Sequence, residues 1–269
     1  MKQISATIIS NKPTNEYPVS GRPSTGPASV IYRKIIIEAP DIASEARPGQ
    51  FVTVSCGSGV TLRRPLSIHR VDNSNQLSIL FAVVGNGTQW LSQRLKGETL
   101  DMLGPLGNGF SVDPDSQSLL LLAGGIGIAP LAFLAQQALA QKKSVTLLLG
   151  ARTVAGLYPQ QLLPDGINTF TVTEDGSDGI KGMITDILPE FESQADQIYA
   201  CGPKAMYQAM AKKGQQTKKP IQISLEVRMG CGLGACYSCS IETEHGLKQV
   251  CHDGPVFNLD EINWEKVQI

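Results

Sequence analysis

The sequence predicts an antiparallel β barrel, then an α/β domain built on a parallel sheet, then a small cysteine-rich module. Short apolar or alternating runs separated by turn residues fill the first hundred residues, as in barrels and sandwiches. After about Ser116, strand candidates alternate with helix candidates, which indicates βαβ units. Four of the six cysteines then fall within residues 228–251. We therefore expect three regions, at residues 1–113, 114–222 and 223–269.

Charge and hydropathy exclude several classes of protein. Lys and Arg number 23 and Asp and Glu number 24, so the formal net charge of −1 attracts neither nucleic acid nor anionic lipid as a whole. Residues 116–141 carry no charge and are long enough to cross a bilayer, but glycines and Pro130 interrupt them. We expect a buried strand, turn and helix there, with no membrane and no nucleic-acid partner. The N-terminus lacks an apolar leader, so we expect a cytoplasmic location.

The barrel is predicted from strands that turn clusters separate. The segment Asn11–Ser29 is rich in Pro, Gly, Ser and Thr, and it is predicted as an extended surface loop. The predicted strands are Ser5–Ile9, Val30–Ile37, Phe51–Val54 and Leu77–Val84.

A glycine-rich turn opens the α/β half. Gly125 and Gly127 follow a strand, and Pro130 stands at the start of a helix, where proline is well tolerated. Such a turn lets backbone approach a diphosphate, and the helix N-terminus adds partial positive charge. The predicted strands are Leu119–Ala123, Val145–Gly150, Thr169–Thr173 and Gln197–Cys201, and the predicted helices are Leu131–Ala140, Met183–Leu188 and Ala205–Lys213.

This turn departs from the standard dinucleotide fingerprint, which leaves a preference between NAD and NADP open. Pro130 stands at the third glycine position, and Arg152 follows the second strand where an acidic residue would bind the ribose. Arg152 is equally well interpreted as a phosphate contact or as a surface cation. Cys201 and Gly202 end the fourth strand, where ligands bind in parallel sheets. The thiol of Cys201 would lie against a nicotinamide ring or serve only in packing.

The cysteines give the most specific signal. Their spacing, Cys231-x4-Cys236-x2-Cys239-x11-Cys251, reproduces the plant-type [2Fe–2S] pattern. A disulfide framework lacks a secretory context, a zinc site usually shows two C-x2-C pairs, and a Rieske cluster needs two histidine ligands. The glycines between the cysteines let the backbone curl and direct N–H groups at sulfur. The spacing therefore favours a [2Fe–2S] cluster.

The barrel carries three motifs that suit a flavin nucleotide. In Arg63–Ile68, an arginine beside a proline-stiffened turn suits a diphosphate, and the hydroxyl of Ser67 would reach a flavin edge. Gly85–Thr88 precedes a possible helix at Gln89–Leu95 and would bind phosphate through backbone N–H groups. Gly104–Phe110 is a further glycine-rich loop.

The order of these motifs resembles the ferredoxin–NADP reductase superfamily. The segments around Cys231–Cys236 and Cys251–Phe257 are similar to those of the electron-transfer subunits of type B dihydroorotate dehydrogenase. The resemblance implies an FAD-binding barrel (1–113), an NAD-binding domain (114–222) that receives NADH, and a [2Fe–2S] module (223–269). It also implies a separate FMN-containing catalytic subunit that oxidises dihydroorotate for pyrimidine biosynthesis, in a heterotetramer.

The resemblance also implies which residues bind which group. FAD contacts would be Arg64, Pro65, Leu66, Ser67, Gly87 and Thr88, with the strand Phe81, Ala82 and Val83 alongside. Nicotinamide nucleotide contacts would be Gly125, Gly127, Pro130, Cys201 and Gly202, and the cluster ligands Cys231, Cys236, Cys239 and Cys251. The sequence departs from the family pattern at Leu66, where an aromatic residue is common, at Tyr237–Ser238, and in the length of Asn11–Ser29.

The three groups form a logical path, because NADH gives up two electrons, a cluster takes one at a time, and a flavin does both. His69, His245 and His252 belong to no catalytic motif, so we expect the substrate chemistry on a partner chain. Two alternatives stay open. One is the same flavoprotein serving a hydrogenase, a sulfur reductase or a ferredoxin, and the other is a non-redox binding subunit that kept the fold.

Overall fold

A closed six-stranded antiparallel barrel forms the first part of the chain, which confirms the predicted barrel. The computed structural model describes residues 1–18, 29–72, 75–214 and 219–267. Around the barrel the strands follow the order β1-β2-β5-β4-β3-β6. Their bounds are β1 Lys2–Pro18, β2 Ser29–Glu38, β3 Phe51–Val54, β4 Arg64–Asp72, β5 Gln76–Ala82 and β6 Thr99–Leu106, with helices α1 Pro40–Ala43 and α2 Asn86–Ser92 between strands.

Three details of the barrel differ from the sequence prediction. The Arg63–Ile68 motif is extended strand rather than a rigid turn, because β4 pairs with β3 along Arg64–Ser67. Strand β6 was not predicted, although its alternating buried residues mark it. The predicted loop Asn11–Ser29 begins as strand, since β1 pairs with β2 as far as Pro18 and Ser29. Residues 19–28 of that loop lie outside the described residues.

The α/β half forms a seven-stranded sheet in the order β10-β9-β8-β7-β11-β12-β15. Every neighbouring pair is parallel except the last, as the alternation of elements predicted. The strands are β7 Ser118–Gly124, β8 Ser144–Ala151, β9 Asn168–Thr173, β10 Ile180–Lys181, β11 Gln197–Cys201, β12 Ile221–Ser224 and β15 Val256–Asn258. The helices are α3 Ile128–Ala140, α4 Leu188–Glu192 and α5 Lys204–Gly214.

The predicted helix Met183–Leu188 is wrong. The helix of this region, α4, begins where that prediction ends, with Pro189 in its first turn. Proline is accepted in the first turn of a helix and disrupts one at an interior position, so α4 begins at this proline.

The uncharged segment 116–141 folds as the buried strand β7 and the helix α3, as expected. Gly127 lets the start of α3 approach β11, because a Cβ on Gly127 would lie 2.0 Å from the carbonyl oxygen of Cys201. Within the described ranges, no helix is long and apolar enough to cross a membrane.

The cysteine module packs against both other parts. Its hairpin comprises β13 Ser240–Thr243 and β14 Gly246–Gln249, while β15 joins the α/β sheet antiparallel to β12. On the barrel side, Asn108 N–H donates to the Gly254 carbonyl at 2.6 Å. A Cβ on Gly232 would lie 2.8 Å from Cγ2 of Thr53 on β3. The cysteine loop therefore has a fixed position against the barrel.

Candidate functional site

A cavity of about 270 Å³ lies between the barrel and the segment that leads to the cysteines. Most of the residues expected to contact FAD line it, on β4, β5 and α2. These are Arg64, Pro65, Leu66, Ser67, Phe81, Ala82 and Thr88. Val83, between two lining residues, is half-buried beside this cavity. Residues 224–227 and Met229 close the opposite wall.

Arg64 and Gly87 meet at one end of this cavity. A Cβ on Gly87 would lie 2.7 Å from Nε of Arg64, so the guanidinium packs directly on the first turn of α2. Nη1 of Arg64 donates to the Leu62 carbonyl at 2.8 Å, which fixes the side chain. The Thr88 hydroxyl accepts from the N–H of Val84 at 2.9 Å and thereby holds the turn. A fixed guanidinium beside exposed backbone suits a diphosphate.

A second cavity, of about 650 Å³, opens at the carboxyl ends of the parallel strands. The glycine turn Gly124–Gly127 forms one side, and Gly202 with Pro203 forms another. Arg152 and Glu174, which follow β8 and β9, also line it. Ligands of open parallel sheets bind in this place, so the geometry suits a dinucleotide.

Two of the residues expected at the nucleotide lie behind this cavity instead. Cys201 is 1% exposed. Burial raises the pKa of its thiol, so Cys201 occupies a packing position. Pro130 is buried in the first turn of α3.

The two cavities share a wall made by Ile126 and Glu226. The side chain of Glu226 keeps accessible surface that faces this cleft, while the surrounding protein raises the pKa of its carboxyl above the ordinary value. Sequence reasoning missed Glu226, although an acidic residue two positions after the strand β12 was a usable signal. It also missed Tyr32 of β2, which lines the larger cavity.

The four cysteines of the module come together as two pairs. Cys231 N–H points at Sγ of Cys236 (3.4 Å), and Cys251 N–H points at Sγ of Cys239 (3.5 Å). Further N–H groups of the glycine loop point at sulfur, since Leu233 donates to Cys231 at 3.3 Å and Gly234 to Cys251 at 3.1 Å. All six cysteines of the chain are free.

This arrangement fits a two-iron cluster. Each iron of a [2Fe–2S] centre takes two thiolates, and the structure offers two pairs. Across the described ranges, no group of three or more His, Cys, Asp or Glu side chains converges on a single ion position.

Two of the cysteine thiols have shifted pKa values. A hydrogen bond with Ser238 lowers the pKa of Cys236 to about 6, which favours the thiolate, whereas burial raises the pKa of Cys251 to about 12.

One face of the cysteine loop is open to solvent and the other is buried. Cys236 is exposed, Leu233 is 43% exposed, and Tyr237 is 69% exposed with a left-handed φ of 58°. Cys239 and Cys251 are buried in the core. Met229, which lines the smaller cavity, precedes Cys231 by two residues. The loop therefore lies between that cavity and the surface.

Two family models match the chain. Residues 226–263 match the iron–sulfur cluster binding domain of dihydroorotate dehydrogenase B, and residues 121–212 match the oxidoreductase NAD-binding domain. The first of these ranges contains all four cysteines of the module, and the second contains the glycine turn.

Among curated relatives, two dihydroorotate dehydrogenase B (NAD(+)) electron transfer subunits, from Bacillus mycoides (strain KBAB4) and Bacillus cereus (strain Q1), are each 38% identical over 239 residues. The alignments cover 85% of this chain and 92% of each relative.

The fold is also similar to solved structures. A structure described as the NADH-dependent reduced ferredoxin–NADP oxidoreductase has a TM-score of 0.82 and 28% identity, covering 96% of this chain and 90% of that one. A ferredoxin–NADP+ reductase from Neisseria gonorrhoeae with bound FAD and NADP has a TM-score of 0.61, covering 81% and 92%. Its 16% identity supports the fold alone.

Proposed function

Because the chain belongs to the family of dihydroorotate dehydrogenase B electron transfer subunits, we propose that it carries electrons from NADH through FAD and a [2Fe–2S] cluster to a partner chain. The main support for this proposal is that the larger cavity, the smaller cavity and the cysteine loop follow one another in space. The larger cavity shares Ile126 and Glu226 with the smaller one, and Met229 of the smaller cavity stands two residues before Cys231.

NADH enters the larger cavity in this proposal. Gly125 and Gly127 let its diphosphate approach the backbone at the start of α3, and Gly202 forms the opposite side. The nicotinamide end lies toward the wall formed by Ile126 and Glu226, because this wall adjoins the smaller cavity. Pro130 and Cys201 support this surface from behind.

FAD takes the smaller cavity. When bound, it accepts a hydride and passes electrons on singly. Arg64 and the first turn of α2, with Gly87 and Thr88, hold the diphosphate. Pro65, Leu66 and Ser67 line one side of the ring system, and Phe81–Val83 run beside it. The aliphatic Leu66 packs there without the stacking that an aromatic side chain would give.

The cluster ligands are Cys231, Cys236, Cys239 and Cys251. Backbone N–H groups of Leu233 and Gly234 point at two of the sulfurs and stabilise their negative charge. The exposed rim around Cys236 and Tyr237 is the face through which electrons leave the chain.

For the partner, we infer an FMN-containing dihydroorotate dehydrogenase catalytic subunit in a cytoplasmic heterotetramer that serves pyrimidine biosynthesis. The names of the relatives support a catalytic partner, since they are themselves electron transfer subunits. We also propose the domain limits 1–113, 114–222 and 223–269. The end of β6 at Leu106 and the start of β7 at Ser118 support the first limit.

The similarity to the NADH-dependent reduced ferredoxin–NADP oxidoreductase favours a second candidate, in which the same path serves a ferredoxin-linked complex. The two candidates differ in the electron acceptor. The chain co-expressed with its catalytic partner supports the first if NAD+ is reduced at the expense of dihydroorotate. Reduction of ferredoxin without turnover of dihydroorotate supports the second.

The path itself is tested by an anaerobic titration of the purified chain with NADH. We expect both the flavin and the iron–sulfur absorbance bands to bleach. A chain purified with FAD and cluster whose bands stay unbleached in excess NADH would contradict the proposal. A chain without either group, even when co-expressed with a partner, would support the non-redox alternative.

A further inference from the structure

Strands β1 and β2 continue past the barrel as a two-stranded arm, defined here as residues 11–18 and 29–33. Strand β1 pairs with β6 only along Lys2–Thr7, whereas it pairs with β2 as far as Pro18. Strand β2 pairs with β5 from Tyr32 onward. Residues 11–18 and 29–31 are therefore additional to the closed barrel, whereas Tyr32 and Arg33 stand where the arm joins it. The arm coincides with part of the long Asn11–Ser29 segment.

Partly buried hydrogen bonds fix the base of the arm. The side-chain amide of Asn11 donates to the carbonyls of Leu91 (3.0 Å) and Arg94 (2.9 Å) at the end of α2. Arg33 donates to the Asn11 side-chain oxygen and to the Asn11 carbonyl, both at 2.9 Å. Partial burial lowers the pKa of Arg33 below its ordinary value. The arm thus has a defined direction relative to the barrel.

At its base, the arm borders the larger cavity. Tyr32 lines the cavity, and its hydroxyl oxygen lies 3.9 Å from the place where a Cβ on Gly125 would stand. The Thr14 hydroxyl donates to the Tyr32 carbonyl at 3.2 Å and holds this stretch of backbone. Strand β1 also contacts the short 3-10 helix Val154–Gly156, whose last residue lines the same cavity.

Among the described residues that line this cavity, Tyr32 is the one contributed by the barrel. Gly125 has a φ of 56° and carries no side chain, so a ligand is able to approach the turn closely. A phenol hydroxyl donates well to an anionic oxygen, and its hydrogen bond to a charged group is stronger than one to a neutral group.

We propose that Tyr32 is a binding residue for NAD(H), and that its hydroxyl donates a hydrogen bond to the diphosphate held over Gly125. This inference rests on the proposed entry of NADH into the larger cavity. It gives the barrel edge at the base of the arm a function, which is to bound the dinucleotide site from the barrel side. The dinucleotide then contacts both parts of the protein that must stay aligned for hydride transfer.

The test uses Tyr32→Phe, which keeps the ring and removes the hydroxyl. Anaerobic stopped-flow reduction of bound FAD gives a limiting rate constant and an apparent Kd for NADH. We expect the Kd to rise about tenfold, as for one lost hydrogen bond to a charged group. The limiting rate constant should change less than about threefold, because the hydroxyl contacts no reacting atom.

A second probe locates the contact. ADP-ribose carries the diphosphate and lacks the nicotinamide, so its Kd, measured by calorimetry on the holoprotein, should also rise about tenfold in Tyr32→Phe. Tyr199→Phe is the matched control, since it removes a hydroxyl from a buried tyrosine that lines neither cavity. Both variants should retain FAD and iron at the level of the unmodified chain.

The outcomes distinguish a failure of the proposed function from a failure of the assignment of Tyr32. An unmodified chain whose FAD is not reduced by NADH contradicts the proposed function. Normal reduction of that chain, with the same Kd values for NADH and ADP-ribose in Tyr32→Phe, overturns only the assignment of Tyr32. A weaker affinity for NADH with unchanged affinity for ADP-ribose also overturns it, because the contact would then lie away from the diphosphate.

Discussion

The imidazole Nε2 of His69 and the hydroxyl oxygen of Tyr158 lie 3.1 Å apart and join the barrel to the α/β domain. The other ring nitrogen of His69, Nδ1, is 3.1 Å from the Ala129 carbonyl at the start of α3. A carbonyl only accepts, so Nδ1 carries the proton and Nε2 accepts from Tyr158. Ala129 also lines the smaller cavity. The neutral His69 thus helps hold the start of α3 beside the FAD site.

The burial of His69 makes the stability of the chain depend on pH. Burial, with the charge of Lys34, lowers the pKa of His69 to about 3 from the ordinary 6.5. Between these values the unfolded chain binds a proton that the folded chain does not, so the free energy of unfolding falls as pH drops from 6.5 toward 3. The slope contributed by His69 approaches ~1.4 kcal/mol per pH unit.

The measurement is urea unfolding at several pH values from 7 to 5. His69→Gln should remove most of the slope that one histidine contributes, while lowering stability at pH 7. His245→Gln is the control, because it removes an exposed histidine that lies apart from His69. Equal slopes in the unmodified chain and in His69→Gln would show that His69 does not stay neutral when the chain is folded.

Because Arg64 contacts Gly87, we expect Gly87→Ala to weaken the binding of FAD. In Gly87→Ala the new methyl group would stand 2.7 Å from Nε of Arg64, so the guanidinium must move from the proposed diphosphate site. We expect the Kd for FAD, measured by flavin fluorescence, to rise about tenfold or more, the equivalent of ~1.4 kcal/mol.

Gly85→Ala is the matched control two residues away. A Cβ on Gly85 meets nothing within 4 Å, and its backbone is extended. Its affinity for FAD should stay within about twofold of the unmodified chain, as for an exposed substitution. An equal loss in both variants would mean that the turn as a whole, rather than the position of Arg64, governs binding.

The sequence predicted those parts of the site that lie within one continuous segment. Three patterns are local in this sense: the cysteine spacing, the glycine turn and Arg64–Ser67. In the structure the glycine turn lines the larger cavity, Arg64–Ser67 line the smaller one, and the cysteines lie together in one module. Glu226 and Tyr32 were missed because their positions depend on how β12 and β2 pack against other elements. The strand β15 was missed for a different reason, because three residues of a turn-rich module are too few to show a periodicity.

Loss of one cysteine should remove the cluster and leave the flavin. Cys236 is exposed and apart from the smaller cavity, so Cys236→Ala should lower iron and sulfide to near zero while FAD content stays near one per chain. Cys56→Ala is the control, because Cys56 is buried in the barrel near the end of β3 and should leave iron unchanged. Full iron and sulfide in Cys236→Ala would contradict the ligand assignment.

Glu226 should lower the midpoint potential of the bound flavin. A carboxylate on the wall of the smaller cavity opposes the added negative charge of reduced flavin, and Glu226→Gln removes that charge. Since a charge on the wall of a binding cavity is worth roughly 1–2 kcal/mol to a bound anion, we expect the two-electron potential to rise by about 30 mV at pH 8. The pKa of Glu226 is raised, so its carboxyl becomes protonated and neutral at low pH. The difference in flavin potential between the unmodified chain and Glu226→Gln should therefore shrink as the pH falls. Glu174→Gln, which alters only the larger cavity, is the control. Dye-equilibrated reductive titrations would contradict this role if both variants shifted equally or if Glu226→Gln lowered the potential.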